Sequence, residues 1–591
     1  MQTFTDVIGA INAIVWHDYA LFTLLGVGVL FTLWSAFGQY RALTHGVAIV
    51  RGVYDEKADP GAINHFQALS TALSATVGLG NIAGAAIAIS LGGPGALFWM
   101  WVVGLVGMAL KMTEVTQAML YRDTSDPANP HGGPMWVVRR GLAQIHPRLA
   151  PVGAVIGAIF CVTLLVSTAT GGNMFQAWNV ADISYTYLGV PHWISGIVLT
   201  LAVGLVIVGG IRRIGEVAAR LVPFMCAIYI FAAIFVIVAN ASEVPAMFAL
   251  IFEEAFSPSE GVGAFIGGTA GYGFLKGLQR AFFSSESGQG SAPIAHSAAK
   301  TKEPVREGVV AGLEPFIDTL VVCTMTGLVI LLSGVWSRGP ALVYDTPPVV
   351  SPVTVASGEV VRTAAGDVEW RISPVRVRVA DEVEAESQLR EGAPVFIVVE
   401  AGTNPVTGMT RHRVYGHLHG SDSLGWTVDF DTIFVPPGIE PRIAVEGVYF
   451  DFKGATLTAK AFDRVLPGLG GFVVPLAVWL FAFSTIISWS YYGEQGTIYL
   501  FGQRAVMPYR VVYCLLIIAT VQLVRTEDQL DLFSTFGTGV MLWANIPIML
   551  IFGPVAMRAY HDYFRRLKRG EMAPAHAAPR LGEVISGRDV R

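Results

Sequence analysis

Charge is what this sequence has least of for its length. Of 591 residues only 14% are Asp, Glu, Lys or Arg, against 53% apolar residues, too little polar surface to cover a water-soluble chain of this size. The sequence therefore reads as a polytopic membrane protein. Its formal charge of −5 is small and no basic stripe is present, so no nucleic-acid partner is expected. Cysteine is scarce as well: Cys161, Cys226, Cys323 and Cys514 each sit in an apolar run, and none falls in the long polar stretch where an oxidising compartment would pair them. Free thiols are expected. No HExxH or G-x-S-x-G pattern lies in an apolar run, so the chain is not read as an enzyme. The first apolar run, Tyr19 to Phe37, has no Lys or Arg before it and Arg41 after it. That is the reverse of a secretory leader, and the run is expected to remain as a span.

Apolar runs long enough to cross a bilayer number about eleven, starting near residues 19, 65, 95, 151, 192, 216, 262, 306, 467, 508 and 531. The short connections between them alternate in basic content. One set carries Arg41, Arg51 and Lys57, then Arg122, Arg139 and Arg140, Arg212 and Arg213, Lys300 and Lys302, Arg504 and Arg510, and the tail from Arg558; the other set holds almost none, Arg525 excepted. By the positive-inside rule the N-terminus is outside and the C-terminus cytoplasmic. The expected location is the plasma membrane, in a bacterium the inner membrane.

Residues 337–464 change character. Runs such as PVRVRVADEV, APVFIVVEAG, GWTVDFDTIFV and RIAVEGVYFDF alternate apolar and polar residues between Gly, Pro and Asp turns, as β-strands do. This small all-β insertion is placed outside by the span count. Its histidines His412, His417 and His419 lack a carboxylate or Cys at ligand spacing, so a solvated strand pair is expected over a metal site. The organisation read from the sequence is 1–64 for a peripheral span and cytoplasmic loop, 65–240 for spans two to six, and 241–336 for spans seven and eight. The β-rich insertion follows at 337–464, then spans nine to eleven at 465–557 and a cytoplasmic tail at 558–591, disordered beyond Gly570.

Inside the second run, ATVGLGNIAG at 75–84 sets Gly78, Gly80 and Gly84 around Asn81 at mid-depth. A broken helix is tolerated there only where its freed backbone groups meet protein, water or a ligand, and such breaks hold cations and carboxylates in transporters. Close packing of small residues, with Gly80 and Gly84 four apart, is the competing explanation. A second glycine-rich segment, GGTAGYGF at 267–274, lies five spans later. Two such interruptions in corresponding halves point to an inverted repeat, spans two to six against seven to eleven. Further polar groups lie at membrane depth: Asn173 and Gln176 at i, i+3, then Ser484, Thr485 and Ser488, with Trp489 one turn beyond Thr485. Clustered hydroxyls without a carboxylate pair suit sodium better than a divalent ion, although Ser and Thr more often bond back to their own helix. Lys111 and Glu114 are spaced to neutralise one another, and Asp318 has no obvious sequence partner.

ATVGLGNIAG, GGPGALFWMWVVG at 92–104, HGGPMWVVRRGL at 131–142, TGGNMFQ at 170–176, FFSSESGQGSAPIAHSAAKT at 282–301 and FAFSTIISWSYYGEQ at 481–495 together resemble the alanine/glycine:cation symporter family, also called sodium:alanine symporters. The resemblance implies an all-α, five-plus-five inverted-repeat fold of the LeuT type with one extra N-terminal helix. It also implies secondary active uptake of alanine or glycine with sodium, which is a transported ligand and not a cofactor. Its partners are then a small neutral amino acid, sodium and membrane lipid, with no protein partner implied for the β-rich insertion. Carried over residue by residue, sodium would meet Ser74, Val77, Ser484 and Thr485. Substrate would lie among Gly78, Gly80, Asn81, Asn173, Gln176, the Gly273–Phe274 break, Thr485 and Trp489. Gly104, Ser285 and Ser287 depart from the family pattern and bear on substrate range. An ion channel, or a receptor that uses the external β-domain, are the alternatives; a channel would conduct without substrate.

Overall fold

The structure, a computed structural model, describes residues 2–56, 58–354, 359–363, 366–380, 388–405, 407–421, 425–452, 454–524 and 527–572. Most of the tail expected to be disordered, and the end of the PVRVRVADEV run, lie outside the described residues. Among those described, seven helices are long and apolar enough to cross a membrane: Gly95–Tyr121, Pro147–Leu188, Gly210–Ala239, Pro304–Ser333, Leu469–Phe501, Gln503–Leu523 and Gln529–Lys568. Two bent pairs join them, Thr5–Val15 with Tyr19–Trp34 (46°) and His65–Thr76 with Gly80–Gly92 (50°), and His192–Ile207 is a shorter apolar helix. The segment before Tyr19, read from the sequence only as an external end, is thus helical; its Asn12 and the following Trp16 donate to the Leu532 and Thr535 carbonyls. All four cysteines are free.

The elements around the centre are named here as α1 (His65–Thr76), α2 (Ala85–Gly92), α3 (Phe175–Leu188), α4 (Ala270–Ser285), α5 (Ala292–His296), α6 (Gly454–Val465), α7 (Leu469–Phe501) and α8 (Glu527–Lys568). Helix α1 opens on a reciprocal cap between Asn64 and Gln67 and ends at Val77, whose ψ of 81° leaves the helical region. A wide π turn over Gly80–Gly84 then restarts the chain into α2. Where a span was expected from near residue 262, the helix is Ala270–Ser285, which is not among the apolar helices above. GGTAGYGF does not interrupt it: Thr269 accepts from the Tyr272 amide as the N-cap of α4, so these glycines form the entry to the helix. The interruption comes at its other end. Glu286 sits at φ 52° and Gly288 and Gly290 at 81° and 83°, and the chain is unwound until α5.

Among the described residues the insertion forms ten strands: β1 (Leu342–Tyr344), β2 (Val350–Pro352), β3 (Val368–Ile372), β4 (Val375–Val379), β5 (Pro394–Glu400), β6 (Arg411–Ser421), β7 (Gly425–Phe430), β8 (Ile433–Val435), β9 (Arg442–Ile443) and β10 (Tyr449–Phe450). One sheet runs β1-β4-β7-β6-β5-β10 with β9 on β5; the other is β2-β3-β8. Strand β6 buries Val414, Gly416 and Leu418 in alternation, while β5 buries Val395 through Val399 because it is central and covered. His412 bonds to the Gly402 carbonyl and His419 to Glu391. The Gly420 amide, with His419, holds the Glu391 carboxyl below its ordinary range. The last part of the expected β-rich segment is instead helical: α6 is amphipathic and buries Leu457, Ala461 and Phe462.

Candidate functional site

The broken segment after α1 faces α7 across a set of uncharged oxygens. The Ser74 hydroxyl donates to the Ser484 carbonyl at 2.6 Å. In return the Ser74 carbonyl accepts from Thr485 Oγ1 at 3.1 Å and lies 3.3 Å from Ser484 Oγ, which also donates to Phe481 at 2.8 Å. Val77, one turn on, has left the helical ladder, freeing its carbonyl. All four residues are buried. Hydroxyl and carbonyl oxygens without formal charge are the ligand type of a hard monovalent cation. The close approach depends on glycine at one point: a Cβ on Gly78 would stand 2.5 Å from Thr485 Oγ1.

Beside these oxygens is a small cavity. Of the residues expected around substrate, Gly78, Gly80, Gln176, Thr485 and Trp489 line it. Asn81 does not. Its Oδ1 accepts from the Gly78 amide at 2.9 Å and its Nδ2 donates to Ser284 Oγ at 2.9 Å and the Asp318 carbonyl at 3.0 Å, so it fastens the unwound segment to α4 and the following span. Asn173 is also turned away, donating to the Tyr513 carbonyl at 2.9 Å. The expected shared face with Gln176 fails because Thr170–Met174 is a wide π turn, which re-aims the residues on either side of it. Gly273 and Phe274 are not at the cavity. Gly273 packs against the Gly92 carbonyl and Phe274 stacks on Phe22 and meets Trp99 edge-on, as their place in the first turns of α4 requires.

The unwound segment beyond α4 supplies what sequence reasoning left out. Glu286 and Gln289 line the cavity together with Phe283 and Ser284. Glu286 accepts from the Trp489 indole at 3.0 Å and from Ser291 at 2.6 Å. The indole is also fixed from behind, since a Cβ on Gly172 would lie 2.5 Å from it. The cavity thus has a carboxylate at one place, broken backbone at another and an aromatic wall between. The sequence signal was the SGQG run after Glu286; its glycines mark the break that GGTAGYGF had been expected to supply.

A buried ionic chain lies next to this segment. Lys111 pairs with Glu314 at 3.1 Å and not with Glu114; Glu314 meets His296 at 2.7 Å, His296 meets Glu307 at 2.6 Å, and Glu307 meets His65. Glu114 accepts instead from the Gly290 amide and Asn545. Asp318 takes the Thr319 hydroxyl at 2.8 Å. Each of these groups thus has a named partner, as a low-dielectric interior demands.

The sodium:alanine symporter family model matches residues 1–349 and 426–577. A sodium/alanine symporter from Methanococcus maripaludis, AgcS, is 33% identical over 512 residues, 87% of each chain. The chain belongs to the sodium:alanine symporter family. An uncharacterised transporter of Haemophilus influenzae is 30% identical over 568 residues, 96% of this chain and 98% of its own. Among solved structures, MhsT in complex with L-phenylalanine aligns over 85% of this chain and 92% of its own at 13% identity, with a TM-score of 0.47. The chain is accordingly a membrane transporter of the secondary active, amino-acid-carrying kind, not an enzyme. The family match is interrupted between residues 349 and 426, across strands β2 to β6.

Proposed function

We propose that this protein couples sodium entry to uptake of alanine or glycine by alternating access. The plasma membrane is crossed about eleven times in a five-plus-five inverted repeat after one extra span, with the N-terminus outside. The observation that carries this reading is the Ser74 carbonyl facing the Ser484 and Thr485 hydroxyls at 3.3 and 3.1 Å beside the cavity. Sodium takes the place of the hydrogen bonds there, held by the lone pairs of hydroxyl and carbonyl oxygens of Ser74, Val77, Ser484 and Thr485, and so draws α1 onto α7. The substrate carboxylate meets the broken backbone at Gly78 and Gly80, where the half-helix dipole favours an anion. Its ammonium faces the Glu286 carboxylate, and Trp489 walls off the side-chain end, leaving room for a methyl group or hydrogen. Sodium and substrate share Thr485, which lines the cavity as well as meeting Ser74, so each ligand orders part of the other's site.

The test is labelled alanine uptake into proteoliposomes with sodium replaced by choline at fixed pH. Uptake is expected to require sodium. Uptake at the same rate in choline would overturn the coupling, and current without substrate would favour the channel alternative.

A further inference from the structure

The β-stranded module grips the helical bundle at places that transport has to move. Its Thr407 carbonyl accepts the Thr269 amide at 3.0 Å, at the N-cap of α4. Arg413 on β6 donates to the Ser90 carbonyl at 3.2 Å, in the last turn of α2, and to the Ala264 carbonyl at 2.9 Å, while its guanidinium lies 4.8 Å over Phe396. Arg411, two residues earlier on the same face of the strand, donates to the Gly261 carbonyl. These contacts bind the far ends of both broken spans to one sheet. Just beyond β10, Thr458 on α6 donates to the Ile82 carbonyl at 3.1 Å, inside the wide turn of the first break.

The same module reaches a different helix from its other side. Arg390 precedes β5, which pairs with β6 from Pro394 to Glu400, so it is tied to Arg411 and Arg413 through two bonded strands. Its guanidinium lies 5.1 Å over Tyr185, and Nη2 is 3.5 Å from Thr186 Oγ1, in the last turns of α3. The two attachments are unequal. On the broken spans they are several hydrogen bonds from more than one arginine and from backbone, part of them buried; on α3, among the described residues, they come from the single side chain of Arg390, as a ring contact at an exposed tyrosine, one long hydrogen bond and the charge of the Asp182 carboxyl nearby. Under strain the second yields first.

We propose that the β-module is a strap across the external mouth of the transport pathway, fixed to the broken spans and released from α3 at Arg390 whenever the mouth opens. The proposal rests on the transport reading above and on the module lying outside. It predicts that weakening Arg390 favours the outward-open state and that tethering it stops the cycle.

Two measurements in proteoliposomes test it. Thr535 lines a second small cavity with Trp16, Arg280 and Phe283, the last of which also borders the central one; on the proposed topology it lies toward the outside, and in a Thr535→Cys protein its modification by a membrane-impermeant thiol reagent reports opening. Adding Arg390→Ala is expected to raise that labelling rate at least threefold. In a Thr186→Cys, Arg390→Cys protein, a short bis-methanethiosulfonate is expected to abolish labelled alanine uptake and dithiothreitol to restore it. Unchanged labelling in Arg390→Ala, or wild-type uptake by protein shown to be cross-linked, overturns the strap. Failure of the transport reading shows separately, as absent uptake by the wild-type protein, and the labelling measurement does not depend on it.

Discussion

In the proposed sodium site Thr485 supplies one hydroxyl oxygen, and a cation held by few ligands is held less tightly when one is removed. Thr485→Ala is expected to raise the sodium concentration for half-maximal uptake at least tenfold with expression unchanged, and Thr485→Ser to restore most of it; a sodium titration of initial uptake rates reads both. Asn81 acts differently, because all its bonds go to protein. Asn81→Leu removes the three bonds that fasten the unwound segment, leaving the Gly78 amide only the Thr76 carbonyl, in a buried setting where a lost hydrogen bond costs about 1–3 kcal/mol. Transport is expected to fall at least tenfold, with thermal stability in detergent falling too. Trp489→Ala should open the side-chain end of the cavity. Unlabelled leucine should then compete with alanine uptake where it does not compete in the wild type, and alanine itself should bind more weakly. A variant that folds, carries alanine at the wild-type rate and ignores leucine would remove Trp489 from the cavity wall.

At the scale of elements, the site is made by departures from regular helix. The turn at Thr170–Met174 brings Gly172 against the Trp489 indole, so Gly172→Ala must push the indole from its bond with Glu286. Expected is a loss of alanine affinity comparable to that of Glu286→Gln, checked by substrate titration at saturating sodium. These departures also explain what was legible in the sequence. The break after α1 could be read, because Gly78 and Gly80 weaken the helix at the place where it ends. The second break is harder to place, because GGTAGYGF offers more glycine than ESGQGS and the break opens at Glu286, a residue type that gives no such signal, with only Gly288 and Gly290 behind it. Asn173 was paired with Gln176 on ideal helical spacing, which a wide turn invalidates. Lys111 was given its sequence neighbour Glu114, whereas only folding brings Glu314 within 3.1 Å.

For the whole molecule, the basic loops and apolar runs were enough to show a polytopic chain, and alternation was enough to show the strands. What the sequence did not reveal was how the module is attached, since Arg390, Arg411 and Arg413 look like any solvated strand residues until their partners on α2, α3 and the loop before α4 are seen. The ionic chain carries a whole-molecule expectation as well. His296 has a carboxylate at each ring nitrogen, so both must be supplied with a hydrogen. His296→Gln keeps two polar contacts but removes a charge between two buried acids. The variant is expected to lower the melting temperature by several degrees and to make uptake more sensitive to rising external and internal pH.

The base of the module is closed by a reciprocal pair, Leu342 donating to Val448 at 3.0 Å and Val448 to Leu342 at 2.7 Å. Entry and exit therefore leave the bundle side by side, and an excursion of that kind costs the host little chain entropy however long it grows. Replacing residues 343–447 by a few glycines should consequently give a protein that still inserts and extracts as a monodisperse species.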